Sequence, residues 1–254
     1  MIQIINANGV TIINGTIVNG KDIGRKVKSE EKRKRKSEDI DTILINSGAI
    51  DVDIVNSDTS MIEALFIGQL NVDNVEGKTK FDFEVKEHQL VISVDFKEKC
   101  YFNNLKLIVS IPSKMFEKVC IYSVSADVKI CGNISTKLLR FETATGDLEV
   151  LEEVRVREFN AVTTAGDIKY RGNFSKANIQ ATNGDIKLKI DAKNDIDVDI
   201  TTATGDVSLT HNNIKKLNLL PKTRCGDITN NYSAFGKYNA NVQITTNTGD
   251  IKIK

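Results

Sequence analysis

"TTATGDVSLT", residues 201–210, sets a Gly-Asp pair between a run of small hydroxylated residues and a short apolar alternation. Nearly the same words stand at "ETATGDLEV" (142–150), "TTAGDIKY" (163–170), "ATNGDIKL" (181–188), "TRCGDITN" (223–230) and "TTNTGDIKI" (245–253). With the Asp as origin, Asp127, Asp147, Asp167, Asp185, Asp206, Asp227 and Asp250 lie 20, 20, 18, 21, 21 and 23 residues apart. Gly146, Gly166, Gly184, Gly205, Gly226 and Gly249 precede them, with Ala126 in the first copy. A period near 20 is the signature of a stacked repeat rather than of a chance dipeptide.

The register reaches well beyond the pair. Eight residues before each Asp stand Val119, Leu139, Phe159, Ala177, Val198, Leu219 and Val242, and six before stand Ile121, Phe141, Ala161, Ile179, Ile200, Pro221 and Ile244. Four before, the column is small: Ser123, Thr143, Thr163, Ala181, Thr202, Thr223 and Thr246. Val, Leu or Ile follows every Asp, and three after it come Ile130, Val150, Tyr170, Leu188, Leu209, Asn230 and Ile253. Period-two alternation on both sides of the pair reads as strand, turn, strand with one face inward. The inward parity changes across the turn, which Gly permits by adopting positive φ, while Asp bonds nearby amides.

One unit cannot bury its own inward face. Stacked in parallel about 4.8 Å apart, successive copies lay Val on Val and Thr on Thr. The expected fold is therefore all-β: a parallel β-solenoid, or single-stranded β-helix, with about seven recognisable coils over residues 113–254. The seven copies span a rod of roughly 30 to 35 Å. Residues 40–112 alternate less regularly and read as an irregular β segment or a cap that covers one end. Residues 1–39 read as a Gly-punctuated hairpin followed by a charged linker, "RKVKSEEKRKRKSED".

Composition narrows the class. The 254 residues are 40% hydrophobic, with no Trp and 2 Pro, and 35 basic against 34 acidic residues leave a net charge of +1. No whole-molecule field draws such a chain to nucleic acid or an anionic surface, so neither nucleic-acid binding nor membrane insertion is expected. The chain as written shows no secretion signal and no long apolar run, so a cytoplasmic location is expected. Cys100, Cys120, Cys131 and Cys225 lack metal-ligand spacing and read as reduced thiols.

Serial TxxGDI turns preceded by alternating β segments resemble the bacterial putative-adhesin family, a domain of unknown function. The opening "VTIINGTIVNGK" (10–21) with its charged spacer is similar to openings in Firmicute members of that family. The resemblance spans residues 40–254 and is most specific from Asp127 onward. It implies a single-stranded β-helix without established enzymatic activity, and it carries over no binding residues.

The Asp column invites a catalytic or calcium reading, because β-helix enzymes acting on polysaccharide use clustered carboxylates. Acid-base work needs carboxylates in unlike environments, whereas a repeated column gives each copy the same one. Gly146, Asp147, Gly166, Asp167, Gly184, Asp185, Gly205, Asp206, Gly226, Asp227, Gly249 and Asp250 are therefore expected to be structural turn residues. No catalytic, cofactor-binding or metal residues are assigned, and no cofactor is implied. His88, in a strand-like stretch, and His211, at a loop, have no nucleophile motif beside them. "KRKRK" (32–36) is flanked by Glu30, Glu31, Glu38 and Asp39 and has no interleaved aromatic, so it reads as a solvated spacer. Three functions remain: a non-catalytic scaffold or adhesin-like binder of a macromolecule, a polysaccharide-acting enzyme, and a bactofilin-like polymer built by self-association.

Overall fold

The period-two columns become pairs of strands that meet at each Gly-Asp turn. A computed structural model describes residues 4–7, 10–13, 16–19, 26–71, 79–96, 101–151, 154–191, 194–232 and 238–254, and all regular structure among them is strand. Strands β1 (Ile4–Ala7), β2 (Val10–Ile13) and β3 (Thr16–Asn19) form a separate three-stranded antiparallel sheet. The rest forms one 21-stranded sheet. Its N-terminal strands are β4 (Lys26–Lys36), β5 (Thr42–Gly48), β6 (Asp51–Ser57), β7 (Met61–Asn71), β8 (Thr79–Lys86), β9 (Gln89–Phe96) and β10 (Tyr101–Pro112).

Each later copy supplies a strand before its turn and one after it. They are β11 (Met115–Ser123) with β12 (Val128–Cys131), β13 (Ser135–Thr145) with β14 (Leu148–Val150), and β15 (Val154–Ala165) with β16 (Ile168–Asn173). Next come β17 (Lys176–Asn183) with β18 (Ile186–Asp191), β19 (Ile196–Thr204) with β20 (Val207–Asn212), β21 (Ile214–Cys225) with β22 (Ile228–Asn230), and β23 (Tyr238–Thr248) with β24 (Ile251–Ile253).

Like columns pair in parallel. Val128 sits against Leu148, Leu148 against Ile168, and Ile168 against Ile186, so the residues after the turn form one interior file. Before the turn, Val119, Leu139, Phe159, Ala177 and Val198 form another, all at most 1% exposed. Burying a Val, Leu, Ile or Phe side chain contributes about 1.5–3 kcal/mol, so these files supply the main driving force.

Chain order is not followed throughout. β23 pairs with β19 on one side and β21 on the other, and β24 likewise lies between β20 and β22. Residues 214–230 thus form the outermost coil, with residues 238–254 inserted beneath them. This corrects the expectation of copies stacked simply in sequence, and the reason lies in composition. Copy 214–230 puts Pro221 and Asn230 into core columns and turns Leu220 outward at 60% exposure. Proline lacks an N–H donor and is tolerated on an edge strand, where one row of donors has no partner.

A cysteine pair reads this order directly. With native thiols replaced, Thr201→Cys with Thr245→Cys is expected to oxidise to a disulfide, because the two positions are registered neighbours. Thr201→Cys with Lys222→Cys is not expected to, since β23 separates them by two strand spacings, about 10 Å. Mass spectrometry after oxidation checks both, and a 201–222 bridge would restore the sequential order.

At the other end, residues 40–112 share the core. β5 and β6 pair in parallel with β11 and β12, and β9 and β10 pair in parallel with β5 and β6. Antiparallel strands close this end: β8 on β9, and β7 on β10, with β4 on β7. The tract expected to be a linker is therefore an 11-residue strand. Its charges kept it from reading as one, but they suit an edge that no further strand should join. Arg33 lies over the Phe81 ring at 5.4 Å and Ser29 is buried, while Lys32 pairs with Glu63 at 2.6 Å.

Candidate functional site

At the turn, Gly184 has φ of +146°, and a Cβ there would stand 2.0 Å from the carbonyl oxygen of Gly166 in the next coil. Conformation and proximity both demand glycine. The Asp beside it joins the coils. Asp127 N–H donates to Asp51 Oδ1 at 3.0 Å, Asp147 to Asp127 at 3.0 Å, Asp167 to Asp147 at 2.7 Å, and Asp185 to Asp167 at 2.8 Å. Beyond them Asp206 donates to Asp185 at 3.0 Å, Asp250 to Asp206 at 2.8 Å, and Asp227 to Asp250 at 3.0 Å, repeating the exchanged coil order.

Asp51 is a further copy that carries every column except the glycine. Ile43, Ile45 and Ser47 precede it at the register spacing, and Val52 and Ile54 follow. Ile50 stands where the motif has Gly, and that hid it. Of the small residues four before the Asp, Ser47, Thr143, Thr163, Ala181, Thr202 and Thr246 are buried, and Thr143, Thr202 and Thr246 donate to the carbonyls of Thr145, Thr204 and Thr248.

The ladder employs one oxygen of each bonded carboxylate in holding the next coil. The bond from Asp227 N–H, reinforced by Lys252, holds the Asp250 carboxyl below its ordinary value. Asp167→Asn keeps an acceptor oxygen and is expected to change stability by less than about 1 kcal/mol, whereas Asp167→Ala orphans the Asp185 amide and costs about 1–3 kcal/mol. Urea unfolding of both variants checks this. Among the described residues no group of three or more His, Cys, Asp or Glu is placed to hold a metal ion.

The histidines are apart. His88 occupies the tight turn joining β8 to β9, with φ of +65°, and its Nδ1 lies 2.9 Å from the Asp39 carbonyl oxygen. This replaces the strand expected there. His211 lies inside β20 rather than in a loop, its ring centroid 5.1 Å from that of Tyr232, and burial lowers its pKa. Cys120 is buried and Cys225 exposed, neither in a disulfide; desolvation pushes the Cys120 thiol up. Cys100 lies outside the described residues.

Two outward faces flank the ladder. After the turn, Glu149 lies between Lys129 at 3.8 Å and Lys169 at 3.7 Å, and Lys187 and Lys252 reach Asp185 and Asp250 at 3.3 Å each. Before the turn, the outward columns mix charged residues, among them Arg140, Glu142, Lys176, Asp197 and Asp199, with neutral hydrogen-bonding ones. Asn160 neighbours Asn178, Gln180 neighbours Thr201, and Thr201 neighbours Thr245, with Gln180 Nε2 donating to Asn178 Oδ1 at 3.3 Å.

The corner opposite the Asp ladder holds a cleft of about 470 Å³. Its floor is Val156 and Phe174, the latter packed on Tyr170, which itself stacks on Phe159 at 4.5 Å between centroids. Tyr170 donates its hydroxyl to the Asn173 carbonyl at 3.3 Å, and burial raises its pKa strongly. Lys137, Arg155 and Arg157 stand around the floor. The motif columns gave no sign of this place, because Thr136, Lys137, Arg155, Val156 and Arg157 lie ten or more residues before the Asp, upstream of the apolar columns that define the repeat.

The all-β stack engages its repeated carboxylates with its own backbone and leaves polar faces and the corner cleft exposed. The chain belongs to the Toastrack DUF4097 family, whose model matches residues 40–254, so repeats and N-terminal cap fall within one family unit. Its fold is similar to a putative adhesin from Bacteroides fragilis NCTC 9343, at 16% identity and a TM-score of 0.58, covering 89% of this chain and 97% of that one. A putative adhesin from Parabacteroides merdae ATCC 43184 is similar at 15% identity and a TM-score of 0.48, covering 89% and 96%. No curated protein matches the chain. No helix among the described residues is long and apolar enough to cross a membrane.

Proposed function

We propose that the protein is a non-catalytic binding scaffold, a continuous β-solenoid that presents its polar faces to a macromolecular partner. The observation that carries this reading is the Asp ladder: the carboxylates most suggestive of chemistry are acceptors for backbone amides seven times over. The outward face before the turn offers charged and neutral hydrogen-bonding side chains, among them Lys176, Asp197, Asn178, Asp199, Gln180 and Thr201, at a fixed step of about 4.8 Å, suited to many weak contacts with an extended partner. The thiols of Cys120 and Cys225, outside any disulfide, accord with a reducing compartment.

The polymer reading is less well supported. Both ends of the stack are basic, β4 through "KRKRK" and β21 through Lys215, Lys216, Lys222 and Arg224, so head-to-tail contact brings like charges together. Light scattering at rising concentration is expected to give one fixed mass. Incubation with pectin, alginate, dextran and chitin oligomers, with and without calcium, is expected to release no reducing ends. Release that disappears in Asp167→Asn would sink the scaffold reading.

A further inference from the structure

We infer that the corner cleft is a binding site for an anionic amphiphile, a phosphate or carboxylate group carried on a small apolar body. Charge supplies the first argument. Glu117, Lys137, Arg157 and Ser175 occupy the same position in consecutive coils, ten residues before Asp127, Asp147, Asp167 and Asp185. Glu117 is 2.5 Å from Lys137 and is thereby engaged. Arg157 in the next coil has a cation on one side and a hydroxyl on the other. Arg155 stands two residues before it on the same strand, β15. Among the described residues neither guanidinium has an acidic partner.

Shape supplies the second. An isolated basic patch on a convex surface would attract any polyanion, but these cations rim a concavity whose floor is apolar. Val156 is 7% and Phe174 4% exposed, and the Met115 side chain, 58% exposed, stands at the margin. Asn173 Oδ1 is buried at the same place with no hydrogen-bond partner. A planar guanidinium pair presents a fork that matches phosphate or carboxylate oxygens, while the floor and Met115 cover a short hydrocarbon. A volume of about 470 Å³ lies within the range of small-molecule sites.

The inference rests on the binding-scaffold reading and gives one of its sites a ligand class. Titration calorimetry with monomeric dihexanoylphosphatidic acid, inorganic phosphate and dihexanoylphosphatidylcholine tests it on the full chain. Dihexanoylphosphatidic acid is expected to bind at least about tenfold more tightly than either of the others, since charge and apolar contact act together. Arg155→Ala with Arg157→Ala is expected to weaken it at least about tenfold with an unchanged melting temperature, and Arg155→Lys with Arg157→Lys to restore only part of the loss. Met115→Ser is expected to weaken the amphiphile and leave inorganic phosphate unaffected. Equal affinity for phosphate and amphiphile would replace the inference with a free-oxyanion site. Equal binding by the double alanine variant, or no binding at millimolar concentration, would overturn it. None of these outcomes alters the reducing-end or light-scattering results, which test the scaffold reading on their own.

Discussion

Gly184→Ala is expected to destabilise the protein by about 3–5 kcal/mol. Two costs combine. An L-residue held at φ of +146° is strained, and its Cβ would meet the Gly166 carbonyl oxygen at 2.0 Å and its carbon at 2.6 Å. That carbonyl belongs to the neighbouring coil's own turn, so relief requires two turns to move together. Gly48→Ala is the control: its φ is +59° and nothing lies within 4 Å of a Cβ, so a cost of about 1 kcal/mol is expected from the left-handed conformation alone. Guanidinium unfolding of both variants separates close approach from conformation. Equal losses would show that the coils are not in contact at their turns.

Phe159→Ala is expected to cost about 3–5 kcal/mol, because the ring is fully buried and its loss leaves a cavity in the core. It stacks on Tyr170, which packs on Phe174, so one truncation loosens an aromatic layer spanning a single coil. Phe159→Leu, which keeps most of the volume, is expected to cost less than about 2 kcal/mol. Urea unfolding measures both. The alanine variant is also expected to weaken the cleft for dihexanoylphosphatidic acid, since Phe174 would lose the support that sets the floor.

The columns around the Gly-Asp pairs made the parallel packing legible from residues alone, because a 20-residue register with matched inward positions has few other physical readings. Asp51 was equally legible by its columns and was hidden only by Ile50 in the glycine position. Pro221 and Asn230, two misfits in otherwise apolar columns, marked the outermost coil, but a misfit in one copy does not say where that copy sits. β4 could not be read by alternation, since every residue from Lys28 to Lys36 except the buried Ser29 is charged. The cleft left no trace, because Arg155 and Arg157 lie upstream of the apolar columns and Phe174 in the connection between two strands, where no repeated pattern singles them out.

The exchanged order of the final coils bears on how the chain is made. During synthesis residues 214–230 leave the ribosome before 238–254, at a time when β19 and β20 still offer an unoccupied edge. In the shared register Leu219 and Thr223 of β21 fall at the positions of Val198 and Thr202 in β19, so the nascent segment can dock on that edge. From that berth, the native arrangement is reached only when residues 238–254 displace the segment and insert beneath it.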